Sequence, residues 1–182
     1  MRAAAVAALA AAALAAPRVA AADPMPLGRV SGQVGMKAGT GAFAARLGTG
    51  FAFGFEAAYQ PLGADQSIGL GLSWSTTWSY YGAGSARVAD SLAMLEMAAG
   101  VRVRVPLGAH RRQVLFLGGG GAIIRANEPP VGDGDRTYLG PWAAAGVEFM
   151  LLGAQVGVEA RYVLARSQDG TLGAMLSIGF GT

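Results

Sequence analysis

Between residues 68 and 80 the chain reads IGLGLSWSTTWSY, which sets Ile68, Leu70, Leu72, Trp74, Trp78 and Tyr80 against Gly69, Gly71, Ser73, Ser75, Thr77 and Ser79. Successive side chains of a strand point to opposite faces, so this spacing predicts a strand with one bulky apolar face and one small polar face. The beat recurs along the chain. Phe51, Phe53, Phe55, Ala57 and Tyr59 oppose Ala52, Gly54, Glu56 and Ala58, and Leu95, Met97, Ala99, Val101, Val103 and Val105 oppose Glu96, Ala98, Gly100, Arg102 and Arg104. Val156, Val158, Ala160, Tyr162 and Leu164 oppose Gln155, Gly157, Glu159, Arg161 and Val163. Leu172, Ala174, Leu176, Ile178 and Phe180 align near the end, and Val30, Val34 and Met36 oppose Ser31, Gln33 and Lys37 near the start.

Two segments depart from the pattern. Residues 113–125, QVLFLGGGGAIIR, are apolar on both faces before their glycines, and residues 137–151 contain Pro141 and place Trp142 on the small-residue face. A bulge near 140–142 is expected to absorb the proline and return Trp142 to the apolar side. With these two the strands number eight, near 29–37, 50–59, 67–79, 91–105, 113–125, 137–151, 154–165 and 171–181. The tripeptide LGA at 62–64, 107–109 and 152–154 recurs every 45 residues and marks short turns, while AGTGAFAARLGT, YYGAGSARVAD, ANEPPVGDGD and RSQDG form the other, mostly longer connections. Each beat is two strands, one longer loop and one short turn, the layout of an all-β, eight-stranded antiparallel up-and-down transmembrane β-barrel.

Composition narrows the environment. Residues 1–22, MRAAAVAALAAAALAAPRVAAA, have one early cation, an Ala/Leu/Val run and Ala20 and Ala22 before Asp23, which predicts a cleaved signal peptide followed by a barrel domain over 23–182. Without Arg2 and Arg18 the 14 basic residues become 12 against 11 acidic ones, too balanced for a nucleic-acid partner. Cysteine is absent, which excludes disulfides, thiolate zinc sites and cysteine nucleophiles. Mean hydropathy is +0.40 and 53% of residues are hydrophobic, yet no apolar run reaches the length of a spanning helix.

The charged strand residues decide which face is inside. Glu56, Glu96, Arg102, Arg104, Glu148, Glu159 and Arg161 share faces with Gly, Ser and Ala. A water-soluble barrel would have to pack every Phe, Trp, Leu and Met into an interior barely wide enough for side chains, with a solvent face of Gly and Ser and one Lys. Small residues and ions are therefore expected inside and bulky apolar residues in lipid, with Arg102, Arg104 and Arg161 pairing with the four glutamates. Tyr59 toward the turns and Trp78, Tyr80, Tyr138 and Tyr162 toward the loops are expected to form aromatic girdles. Arg46, Arg87, Arg125, Arg136 and Arg166, in or beside the outer loops, are candidate contacts for lipopolysaccharide phosphates.

Taken together, GFAFGFEAAYQPLG at 50–63, the hairpin layout and a last strand alternating up to Phe180 resemble the small outer-membrane proteins of the OmpA transmembrane-domain, OmpX and opacity-protein kind. The resemblance covers the chain after residue 22. It implies a monomeric outer-membrane barrel without cofactors, in contact with lipid and lipopolysaccharide and inserted by the barrel-assembly machinery. The usual closing aromatic of that family is followed here by Gly181 and Thr182.

Catalysis finds little support. Barrels that modify lipid A resemble His-assisted serine hydrolases or acyltransferases, but the one histidine, His110, lies in the turn PLGAHRRQ with no plausible Ser or Asp partner in that turn. Gly118–Gly121 lacks a phosphate-loop continuation, and Asp133 and Asp135 lack calcium-loop spacing, so no catalytic, metal or cofactor residue is assigned. The expected role is non-enzymatic, in envelope integrity or surface contact through the loops. A narrow passive channel is the first alternative and a soluble, lipocalin-like periplasmic barrel the second.

Overall fold

A computed structural model describes residues 27–62, 68–83, 92–107, 112–127, 136–151, 154–166 and 169–181. The strands are β1 (Gly28–Thr40), β2 (Leu47–Leu62), β3 (Gly69–Ala83), β4 (Leu92–Leu107), β5 (Gln113–Ala126), β6 (Thr137–Leu151), β7 (Ala154–Arg166) and β8 (Asp169–Gly181). Each pairs antiparallel with its neighbours in chain order, and β1 closes on β8 from Arg29↔Gly181 to Thr40↔Gly170. Closure satisfies the backbone of every strand edge, which an open sheet cannot do in hydrocarbon. Strands of 13 to 16 residues, rising ~3.3 Å per residue with a tilt of ~40°, reach roughly 33–41 Å along the axis, enough to cross a bilayer core.

The period-two pattern is expressed inside out. Val30, Phe53, Leu72, Trp74, Val158, Leu176 and Phe180 are exposed on the outer wall, whereas Ser31, Glu56, Ser73, Ser75, Glu159 and Ser177 are buried in the lumen. On β2 and β3 the outward aromatics stack into a ladder, with Phe53 and Trp78 ring centroids 5.8 Å apart and Phe55 and Trp74 5.2 Å apart. Such pairs stabilise the hairpin beyond what their lipid burial contributes.

Trp142 departs from expectation. Pairing of β5 with β6 runs without a register shift from Gln113↔Phe149 to Arg125↔Thr137, so no bulge interrupts residues 140–142. Pro141 needs none, because the β6–β7 ladder begins at Trp142↔Val163 and Pro141 lies just beyond it, where its missing N–H leaves no rung unpaired on that side. Trp142 therefore keeps its inward parity and is buried. Its indole lies over β5, where a Cβ on Gly118 would come within 3.1 Å of the ring, and its Nε1 donates to the Ala99 carbonyl at 3.0 Å. Glycine on one strand makes the space that the aromatic on the next one fills.

Tyr138 is the second departure. Expected in a lipid-facing girdle, it is buried in the lumen, four residues before Trp142 and in step with it, and packs edge-on against Phe43 with centroids 5.5 Å apart. Phe43 belongs to a one-turn helix, α1 (Phe43–Arg46), inside the segment expected to be an irregular loop, and it is fully buried. The predicted leader at 1–22 lies outside the described residues.

Candidate functional site

The lumen is divided along its axis. Toward the longer loops, Phe43, Leu47, Tyr81, Met94, Ile124, Tyr138, Trp142 and Val163 form one buried apolar cluster. The expectation of small residues and ions throughout the interior holds only for the rest of it.

Below that cluster, toward the short turns, the charged side chains converge. Arg102 of β4 is the hub: it donates to Glu56 of β2 at 2.8 Å, to Glu148 of β6 at 3.1 Å and to Glu159 of β7 at 2.9 Å. Arg104 donates to Glu148 at 2.8 Å and to the Gln60 side-chain oxygen at 3.1 Å. Arg161 of β7 donates to Glu159 at 2.6 Å, to Ser75 at 2.5 Å and to Glu56 at 3.2 Å, and lies 3.7 Å from Glu96. All seven residues of the expected network thus lie in one connected, buried cluster.

Two further cations join it. Arg29 of β1 bridges Glu56 and Glu148, and Lys37 donates to Glu96 at 2.7 Å. Both share the parity of Ser31 and Gln33, so the small-polar face of the first strand was the available signal. The long reach needed to find a glutamate several strands away was not readable from it. Among the described residues the lumen then holds five cations, Arg29, Lys37, Arg102, Arg104 and Arg161, against four glutamates. An unpaired charge at such depth would be very costly, and multiple charge-assisted hydrogen bonds per carboxylate make the arrangement tolerable. The Arg102 guanidinium also lies 4.0 Å above the Phe116 ring, and that of Arg161 lies 5.2 Å from the centre of the Trp142 ring, coupling the charged and apolar halves.

No protein-family model matches the chain, and no curated protein matches it by sequence. Solved structures do match. Neisserial surface protein A aligns with a TM-score of 0.60 at 12% identity, covering 85% of this chain and 97% of that one. The outer membrane protein OprG from Pseudomonas aeruginosa aligns with 0.57 at 10% identity, covering 88% and 98%. The outer membrane enzyme PagL aligns with 0.51 at 19% identity, covering 85% and 99%. The chain has the fold of the small eight-stranded outer-membrane β-barrels.

In an outer-membrane barrel of this size the wall carries the aromatics that meet the membrane interfaces. Tyr59 is exposed at the turn end and Tyr80 on β3 toward the loops, while Trp78 and Tyr162 are half-buried on the same outer wall and Tyr138 is absent from it. Of the five rim arginines, Arg125 and Arg136 are exposed, Arg46 is half-buried in α1 and Arg166 ends β7. Arg87, His110, Asp133 and Asp135 lie outside the described residues. Among the described residues no group of His, Asp and Glu is arranged to hold a metal ion.

Proposed function

We infer that this is an exported, integral outer-membrane protein that works as a closed barrel, without catalysis, in envelope integrity or surface contact. Short turns face the periplasm and the longer loops face outward. Insertion uses the barrel-assembly machinery, the protein is monomeric, and Arg46, Arg87, Arg125, Arg136 and Arg166 offer cations to lipopolysaccharide phosphates at the outer rim. The observation that carries the reading is the filled lumen: an ion-paired lower half under an apolar upper half in which Phe43 is 0% and Tyr81 2% exposed. An interior packed this way supports a mechanically stable anchor for loops better than a path for solutes.

Reconstitution in planar bilayers tests it. A closed barrel gives no conductance steps above the lipid baseline while showing heat-modifiable gel mobility in the same preparation. Regular steps would favour a narrow channel, and recovery in the soluble periplasmic fraction would favour the ligand-binding barrel. Mass spectrometry of lipids from expressing and non-expressing cells tests the absence of catalysis, which a new deacylated or acylated species would overturn.

A further inference from the structure

On the outer wall across β3 to β6 runs a shallow groove of about 440 Å³, walled by Trp74, Met97, Ile123 and Leu139 and floored by Ala99 and Gly121. The pairings Trp74↔Ala99, Ala99↔Gly121 and Met97↔Ile123, Ile123↔Leu139 place these residues in two adjacent rows. The next row toward the loops is Trp78, Leu95, Arg125 and Thr137. There a second recess of about 220 Å³ is lined by Trp78, Tyr80, Leu95, Arg125 and Asn127.

Arg125 is the feature that needs explaining. It sits on the lipid side of β5, between the inward Ile124 and Ala126 and two residues above Ile123. The four strand glutamates all point into the lumen, and Asp169 lies on β8 in step with the buried Thr171 and accepts the Ala42 N–H at 2.6 Å, so among the described residues no carboxylate lies on the outer wall to pair with it. A guanidinium at a membrane interface binds phosphate oxygens in a bidentate geometry, and Trp and Tyr beside it suit the headgroup level.

We propose that the two recesses form one binding site for a phosphorylated lipid A molecule, with an acyl chain in the Trp74–Leu139 groove and a phosphate on Arg125. The site rests on the loop end facing the outer leaflet, as argued above, and narrows the five rim arginines to one that has an acyl groove beneath it. Gly121 is what keeps the groove open. A Cβ built there meets nothing within 4 Å, so a larger residue fills the groove without disturbing the barrel.

Native mass spectrometry of the barrel in detergent micelles mixed with bis-phosphorylated lipid A reads the outcome, with heat-modifiable mobility confirming that each variant is folded. Wild type retains one lipid; Arg125→Gln and Gly121→Leu each lower the retained fraction about tenfold, the loss expected for one charge-assisted contact or one filled groove. Arg136→Gln, the same charge change on the same rim but at a position in step with the inward Tyr138, lowers it less than about twofold. Wild-type retention by both Arg125→Gln and Gly121→Leu overturns the site, as does an equal fall with Arg136→Gln, which signals diffuse attraction to the rim. Equal retention of phosphatidylethanolamine overturns the choice of lipid. Should Gly121→Leu not fold, Arg125→Gln decides alone. Each of these failures leaves the closed-barrel reading intact, since that reading stands on conductance.

Discussion

Arg102 Nη2 and Glu56 Oε2 meet 2.8 Å apart across the lumen, joining β4 to β2 where the two strands share no backbone ladder. Arg29 and Arg161 reach the same carboxylate. Glu56 is therefore shared by three buried guanidinium groups.

Removing that carboxylate should weaken the barrel more than its single residue suggests. Glu56→Ala is expected to cost about 3–5 kcal/mol, because partners left behind in a buried network keep their desolvation cost. Urea unfolding in lipid vesicles measures it. A cost within about 0.5 kcal/mol would show the cluster to be hydrated.

The Lys37–Glu96 pair, at 2.7 Å and with both side chains buried, should behave differently when removed whole. Lys37→Met alone is expected to cost about 3 kcal/mol, whereas Lys37→Met with Glu96→Leu should fall within about 1 kcal/mol of wild type, since both desolvation penalties disappear together. Arg161 keeps Glu56 and Glu159 in the double variant. A double-mutant cycle showing strict additivity would contradict the pairing.

Trp142 is a lumen residue while Trp74 is 43% exposed on the outer wall. In single-tryptophan variants reconstituted with brominated lipid, Trp74 fluorescence should be strongly quenched and Trp142 fluorescence nearly untouched. Trp142→Ala should destabilise by about 3–5 kcal/mol through the cavity left over the β5 glycines. Strong lipid quenching of Trp142 would place it on the wall and restore the bulge.

Val158, exposed on β7 and paired with Val147 and Leu176, tests the orientation of the wall itself. Val158→Arg should cost about 2–4 kcal/mol if it lies near the bilayer midplane, and Val158→Leu almost nothing. The measurement is folded fraction against urea in vesicles. Indifference to arginine there would mean that the wall faces water.

Much of this molecule was legible in its residues. Eight strands, their order, and the face on which Phe53, Leu72 and Val158 lie follow from period-two alternation, because lipid outside and a tight interior demand opposite kinds of side chain at successive positions. The buried parity of Glu56, Glu96 and Arg102 was legible for the same reason. Alternation alone keeps Trp142 inward, and the expected outer-wall places of Trp142 and Tyr138 come from ranking every aromatic as lipid-facing. That ranking does not register that Gly118 on the neighbouring strand opens a space inside, nor that a proline at the end of a ladder needs no bulge.

Sequence alone, then, determined the strands, their alternation and the sign of the arrangement, since these depend on neighbours one and two residues apart. Only tertiary structure decided the partners: that Arg29 and Lys37 complete the ion network, that Phe43 from a one-turn helix seals the apolar half, and that Arg125 overlooks a groove spanning four strands. Those relationships are set by the register between strands and the curvature of the closed sheet, which bring together residues as far apart as Arg29 and Glu148.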